Sequence, residues 1–317
     1  MAASIRSFLG RCSRNKSSFT SSVLAKYQSN VRFCVKSMSS NSQFCLELVR
    51  KQDYEHFLCT LFLPESAIAS VLAIRAFNVE IATVRDVVSD HRLGQGRMVF
   101  WRESLNKIYS GSAPSQPVAM ELSYAVHKHK LSKLWLSRIL EERERMLDDR
   151  PFHTVEEIES YAENTSSSLL YLTLEALGIK DVNADHAASH IGRAQGLTTI
   201  LRAIPYNAQY KRVNLPLDVM AKHGLSQTAV VRGSQDKPMR DVVYEIASQA
   251  HVHLSTARSF KKEVPSSALP VFLCTSPLSS YLKLLQKCDF DVFNPKMRKK
   301  DTLLPFKLWL QNKRKIY

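Results

Sequence analysis

The chain has 317 residues, with 44 Lys and Arg against 29 Asp and Glu, a formal charge of +15, and 44% of its residues are hydrophobic. That apolar fraction supports a buried core in one large domain or two small ones, which excludes a fibrous or wholly disordered chain. No apolar run reaches the roughly 18 residues that a conventional membrane-spanning helix needs.

The charge is concentrated at the ends. Residues 1–42 carry seven cations and no acid, residues 296–317 carry eight cations against Asp301, and the body between them, 43–295, is left at +1. A nearly neutral body without a basic patch interleaved with aromatics argues against a nucleic-acid partner.

The first 42 residues also hold twelve serines, and Ile5, Phe8, Leu9 and Cys12 fall on one helical face with Arg6, Arg11 and Arg14 on the other. This is the pattern of a mitochondrial transit peptide, 1–42, with processing expected between Arg32 and Ser42. Cys45, Cys59, Cys274 and Cys288 lack C-x-x-C spacing. They read as reduced core thiols, not as a zinc site or a disulfide framework.

From residue 44 apolar residues recur at three-to-four spacing, so the chain predicts one helix after another. Pro64 opens a helix carrying Ile68, Val71, Leu72, Phe77, Ile81, Val84 and Val88 toward Asp90. A second covers 98–109 and stops at Ser110, Gly111 and Pro114. Thr154 and Glu157 form a capping box for a helix that runs unbroken to Gly178. Further helices cover about 186–203, 239–262 and 278–288, with 205–216 the one long connection. Nine glycines in the whole chain fit long helices, so the body reads as a single all-α domain.

Little chemistry is visible in simple motifs. Of the pairs His127/His129, His186/His190 and His251/His253, only His186/His190 has i, i+4 spacing, and it lacks the third ligand and intervening Glu of a zinc site. These are expected as helix-surface histidines. Gly192 and Gly196 lie inside a helical pattern with no preceding strand, so they do not read as a phosphate cradle. No G-x-S-x-G occurs, and Asp241 completes no obvious triad.

The segments 73–86 (AIRAFNVEIATVRD), 192–203 (GRAQGLTTILRA), 212–216 (RVNLP) and 217–225 (LDVMAKHGL) are more informative. In order, they resemble the squalene/phytoene synthase family of head-to-head prenyl transferases, whose all-α isoprenoid-synthase fold is the implied architecture. In that family two aspartate-rich motifs on facing helices hold Mg²⁺, because hard cations must bridge the charge of a diphosphate leaving group. The family's paired aspartates fall on Ala82 and Thr83 here, and those of the second motif on Ala203 and Asn207, leaving only Asp86. Asp86 with Asp90 could form a replacement pair, but the second helix offers no carboxylate. The resemblance therefore implies a degenerate enzyme with no catalytic residue, no metal site and no cofactor. The alternative is an active prenyl-diphosphate transferase with unconventional ligands, Asp86 and Asp90.

Segments 77–80 (FNVE) and 161–171 (YAENTSSSLLY) resemble a non-enzymatic mitochondrial branch of the family. That resemblance implies a matrix protein at the inner membrane that assists early assembly of complex I (NADH:ubiquinone oxidoreductase). Its implied partners are complex I subunits or early intermediates, near a membrane-arm core subunit at the quinone site. The former substrate cavity is then a candidate holder of a lipid, isoprenoid or client segment, with Phe77, Glu80 and Arg202 as candidate lining residues. Arg202, in an apolar helix, needs an anionic ligand or an ion partner, for which Glu80, Asp86 and Glu175 are the candidates.

In the basic tail, 296–317, Leu303, Phe306 and Leu310 share a helical face while Leu304 and Leu308 lie away from it. Two readings stay open. The helix packs on the body, or Lys299, Lys300, Trp309, Lys313 and Arg314 meet an anionic, cardiolipin-rich leaflet as a peripheral membrane contact.

Overall fold

The computed structural model describes residues 39–88 and 91–317, and helix is the only regular structure among them. The transit peptide expected at the start lies almost wholly outside the described residues, as does Asp90. Residues Ser39–Tyr317 form one compact unit.

Ser39 caps the first helix, α1 (Ser40–Gln52), with its hydroxyl accepting from the Ser42 N–H at 3.1 Å. After α2 (Tyr54–Thr60), Pro64 precedes α3 (Glu65–Ala82), which is buried on almost every side. A helix apolar all round belongs at the centre of a core, and α1 and α6 flank this one. The chain continues through α4 (Val84–Val87), α5 (His91–Tyr109), α6 (Pro117–His129) and α7 (Lys133–Arg145). Thr154 caps α8 (Val155–Ala162) as expected, and Glu157 reaches back to the His153 N–H at 2.7 Å.

The helix predicted to run unbroken to Gly178 is interrupted. A single π-turn, Glu163–Ser167, separates α8 from α9 (Ser168–Ala176). Beside it passes α10 (Val182–Gln209), whose Gly192 and Gly196 allow the backbones to touch. A Cβ on Gly192 would lie 2.1 Å from the Ser167 hydroxyl oxygen, and one on Gly196 would lie 2.2 Å from the Ala162 Cβ. The glycine pair is thus a helix-crossing device.

α10 also outruns its predicted end at 203. It passes through Pro205 to Gln209, which shortens the long connection to 210–216. Pro205 removes one helical hydrogen bond, but Ile204, Asn207 and Ala208 are buried around it and Tyr206 meets Tyr210 at a 4.9 Å ring separation. Tertiary packing outweighs the local cost.

The remaining helices are α11 (Leu217–Lys222), α12 (Gln227–Val231), α13 (Lys237–Ser259), α14 (Thr275–Lys287) and α15 (Leu304–Arg314). α10 packs along α13 and α8 around Leu197, Leu201, Val242, Val243 and Ile246. The basic tail joins the same unit: Leu304, Leu308 and Tyr317 are buried, and the Tyr317 hydroxyl donates to the Ala257 carbonyl at 3.0 Å. Leu303 and Phe306, from the face singled out in the sequence, stay exposed. No helix of the described residues is long and apolar enough to cross a membrane.

Candidate functional site

Between the C-terminal halves of α3 and α10 lies a cavity of about 380 Å³. Ala82, Thr83 and Asp86 line one side, and Ala203 and Asn207 the other. Ala203 and Asn207 are four residues apart on α10, and Ala82 and Asp86 four apart across the junction of α3 and α4, so each of these pairs falls on one face.

The cavity is amphipathic. Ile81, Leu147, Phe152, Leu169 and Ile200 form its apolar wall. Its polar end contains Arg75, which is 6% exposed and donates from Nη1 to Asp53 Oδ2 at 3.2 Å. Asp53 also meets the His56 Nδ1 at 2.6 Å. Burial alone would raise the Asp53 carboxyl, but the His56 ring and the Arg75 guanidinium hold it down at about 2. Arg143 donates to the Tyr161 hydroxyl and lies 5.5 Å from the ring centroid. The Nε atoms of Arg75 and Arg143 and the Asn214 Oδ1 are buried without a hydrogen-bond partner among the described residues. Such atoms suit a polar ligand group.

A second charge network closes one end. Arg212 donates from Nη1 to Asp86 Oδ1 at 2.9 Å and from Nε to Asp149 Oδ2 at 3.0 Å, and Asp149 also pairs with Arg85. Asp86 is therefore already balanced by a cation.

This donor set does not fit a Mg²⁺–diphosphate platform. Ala82 and Ala203 carry no ligand oxygen, the Thr83 hydroxyl donates to the Val79 carbonyl at 2.8 Å, and Asn207 brings only a neutral amide. Hard cations at such sites need several carboxylates. No cluster of three or more His, Cys, Asp or Glu with metal-holding geometry occurs among the described residues. What remains is an amphipathic cavity whose polar end holds Arg75, Arg85 and Arg143.

The other candidate residues are placed elsewhere. Phe77 is fully buried edge-on to Trp101, with ring centroids 5.1 Å apart, and does not line the cavity. Glu80 is also outside the lining, and burial raises its carboxyl against the pull of Arg97. Arg202 turns away from the cavity, and its ion partner is Glu55 at 2.6 Å, not Glu80, Asp86 or Glu175. Its guanidinium lies 4.6 Å from the Tyr281 ring centroid.

Of the histidines, His253 is buried, where a surface position was expected. It meets His190 through Nδ1 at 2.9 Å and Glu159 Oε1 through Nε2 at 3.0 Å. Asp53, His56 and Arg143 were missed in the sequence. Only the buried, charged Arg75 amid apolar neighbours signals that an acid must come to meet it.

The squalene/phytoene synthase family profile matches residues 49–303. A Bos taurus protein described as NADH dehydrogenase (ubiquinone) complex I, assembly factor 6 is 54% identical over 279 residues, covering 88% of this chain and 84% of the relative. The Homo sapiens protein of the same description is 55% identical over 274 residues, covering 86% and 82%. Among solved structures, a dehydrosqualene synthase with bound ligand superposes with a TM-score of 0.76 at 18% identity, covering 92% of this chain and 98% of that one.

Proposed function

This chain belongs to the squalene/phytoene synthase family, and from that premise we propose that it is a non-enzymatic assembly factor for mitochondrial complex I. The observation that carries the reading is the emptied carboxylate platform: four motif positions lack an acid, and Asp86 is tied to Arg212. The naming of relatives more than half identical to this chain as complex I assembly factors supports it.

In finer detail, the chain acts early, on a membrane-arm core subunit near the quinone site. It works from the matrix face of the inner membrane, as a peripheral protein held by its basic tail. The cavity holds one isoprenoid, quinone-like or lipid chain, or an apolar stretch of the client. Its volume of about 380 Å³ is at the small end of the range for small-molecule sites. The unpartnered Arg75 and Arg143 nitrogens favour a ligand with a polar or anionic end. Binding without turnover is what such a cavity can do.

Complexome profiling after deletion of the protein tests the role. Early complex I intermediates should be lost, and their persistence at normal levels refutes it. The second reading, an active transferase, rests on Asp86 lying at the cavity. Incubation of the mature protein with Mg²⁺ and prenyl diphosphates decides between them: turnover abolished by Asp86→Ala would overturn the non-enzymatic reading.

A further inference from the structure

A second, larger recess of about 1160 Å³ lies on the other side of α10, between α14 and the tail. Ten cations and two carboxylates line it. Arg202 comes from α10, Arg258 from α13, Lys283 and Lys287 from α14, and the rest from the tail. Both carboxylates are engaged, Glu55 by Arg202 at 2.6 Å and Asp301 by Lys307 at 2.5 Å. Lys283, Lys287, Lys296, Lys299, Lys300 and Arg314 are exposed, and no ion pair of theirs is seen among the described residues. So much like charge in one concavity calls for an anion with several oxygens.

The floor is built, not merely flexible. Arg258 is fixed by the Ser279 hydroxyl at 2.7 Å and the Tyr317 carbonyl at 3.0 Å, and Arg202 stacks on Tyr281. The buried Nε of Arg202 has no hydrogen-bond partner among the described residues.

The rim says which anion. α15 is held by Leu304 and Leu308, yet Leu303 is 63% exposed and Phe306 39% exposed, with Phe306 stacked on Trp309 at 5.9 Å. Phe306 and Leu310 lie on the same side of α15 as the groove residues Lys307 and Arg314. Exposed apolar side chains beside unpaired cations match a surface where phosphates and acyl chains are adjacent. A soluble phosphate compound would have no use for the apolar rim.

We propose that this groove is a specific site for a phospholipid head bearing two phosphates, of the cardiolipin type, with Leu303 and Phe306 entering the bilayer beside it. The proposal rests on the peripheral membrane placement above and deepens it. The anion is gripped by the body, through Lys283, Lys287, Arg258 and Arg202, as well as by the tail.

The test is co-flotation of the full mature chain with phosphatidylcholine vesicles carrying cardiolipin, against vesicles carrying phosphatidylglycerol at equal charge. Wild type should prefer cardiolipin. Lys283→Glu/Lys287→Glu should weaken that binding about tenfold or more, and Lys299→Glu/Lys300→Glu, on the opposite wall, should do the same. Lys51→Glu/Lys107→Glu, at exposed sites outside the groove, should not. Thermal melts of all variants should match wild type, since every substituted lysine is exposed. Unchanged binding by Lys283→Glu/Lys287→Glu overturns the groove while leaving the membrane placement standing. Equal binding to both vesicle types overturns the two-phosphate specificity. Release from vesicles by inorganic diphosphate, with no lipid preference, assigns the groove to a soluble anion instead. Absence of vesicle binding by wild type removes the membrane placement and this site together.

Discussion

The crossing of α8 and α10 at Gly192 and Gly196 makes a quantitative prediction. Replacing a helical glycine with alanine ordinarily stabilises by about 1 kcal/mol. At Gly196 the added methyl would lie 2.2 Å from the Ala162 Cβ and 3.1 Å from its Cα, well inside the ~3.5–4.0 Å of a favourable carbon contact. No side-chain rotation relieves that contact, because both atoms are fixed to the α8 backbone. Overpacking of this kind costs about 1–3 kcal/mol or more, and a backbone neighbour puts Gly196→Ala at the upper end. The net loss should be about 2 kcal/mol, or about 3–4 °C in Tm for a unit of this length.

Gly192→Ala should be worse, since its methyl would meet the Ser167 backbone nitrogen at 2.4 Å. Gly96 in α5 has nothing within 4 Å of a Cβ, so Gly96→Ala should be stabilising by about 1 kcal/mol. Urea and thermal unfolding of the three variants measure the contrast. Gly196→Ala as stable as wild type would refute the close-approach reasoning. The crossing also sets the width of the cavity, because Tyr161, Thr165, Gln195 and Thr199 line it from these two segments.

Three further outcomes are expected. Asp53 ordinarily titrates near 3.8 and is held at about 2 in the fold, so its stabilisation is present above roughly pH 4 and lost as pH falls toward 2. That contribution is about 2 kcal/mol, and Asp53→Asn should make the slope of urea midpoints over this window shallower by that amount, Glu159, Glu163 and Glu245 supplying the rest, while leaving Arg75 buried without its carboxylate, at a cost of about 3–5 kcal/mol. A slope in the variant equal to that of wild type would refute the assignment. Asp86→Ala should cost no more than about 1 kcal/mol, as expected for a partly exposed pair, and calorimetric titration with Mg²⁺ should give identical traces for variant and wild type. A Mg²⁺ heat present only in wild type would return Asp86 to metal binding. The mature amino terminus should precede Ser39, because that residue caps α1 and donates to Glu121 at 2.7 Å, a cap worth about 1 kcal/mol. Terminal sequencing that begins after Ser39 would contradict this.

Local rules carried the fold a long way. Thr154 starts α8 and Pro64 precedes α3 as the patterns require, because caps and helical phase are short-range properties. What stayed hidden depends on distant partners. Nothing near Pro205 tells that packing carries α10 past it. Nothing near Ser167 tells that a π-turn must yield to Gly192, although the glycine spacing itself was visible. In the tail both readings had a physical basis, since Leu304 and Leu308 pack inward while Leu303 and Phe306 face out. The charged end of the cavity joins Asp53 on one segment to Arg75 and Arg143 on two others, a three-way meeting that no single window contains.

The ion pairs Asp86–Arg212–Asp149–Arg85 have a consequence for supply. Where an anion is held through Mg²⁺, occupancy follows the free level of that ion, which drops when ATP is plentiful and chelates it. Here the charge that balances Asp86 is covalently part of the chain, and its local concentration is set by the fold. The closure of this end of the cavity is then built into the fold and does not depend on the supply of a metal ion.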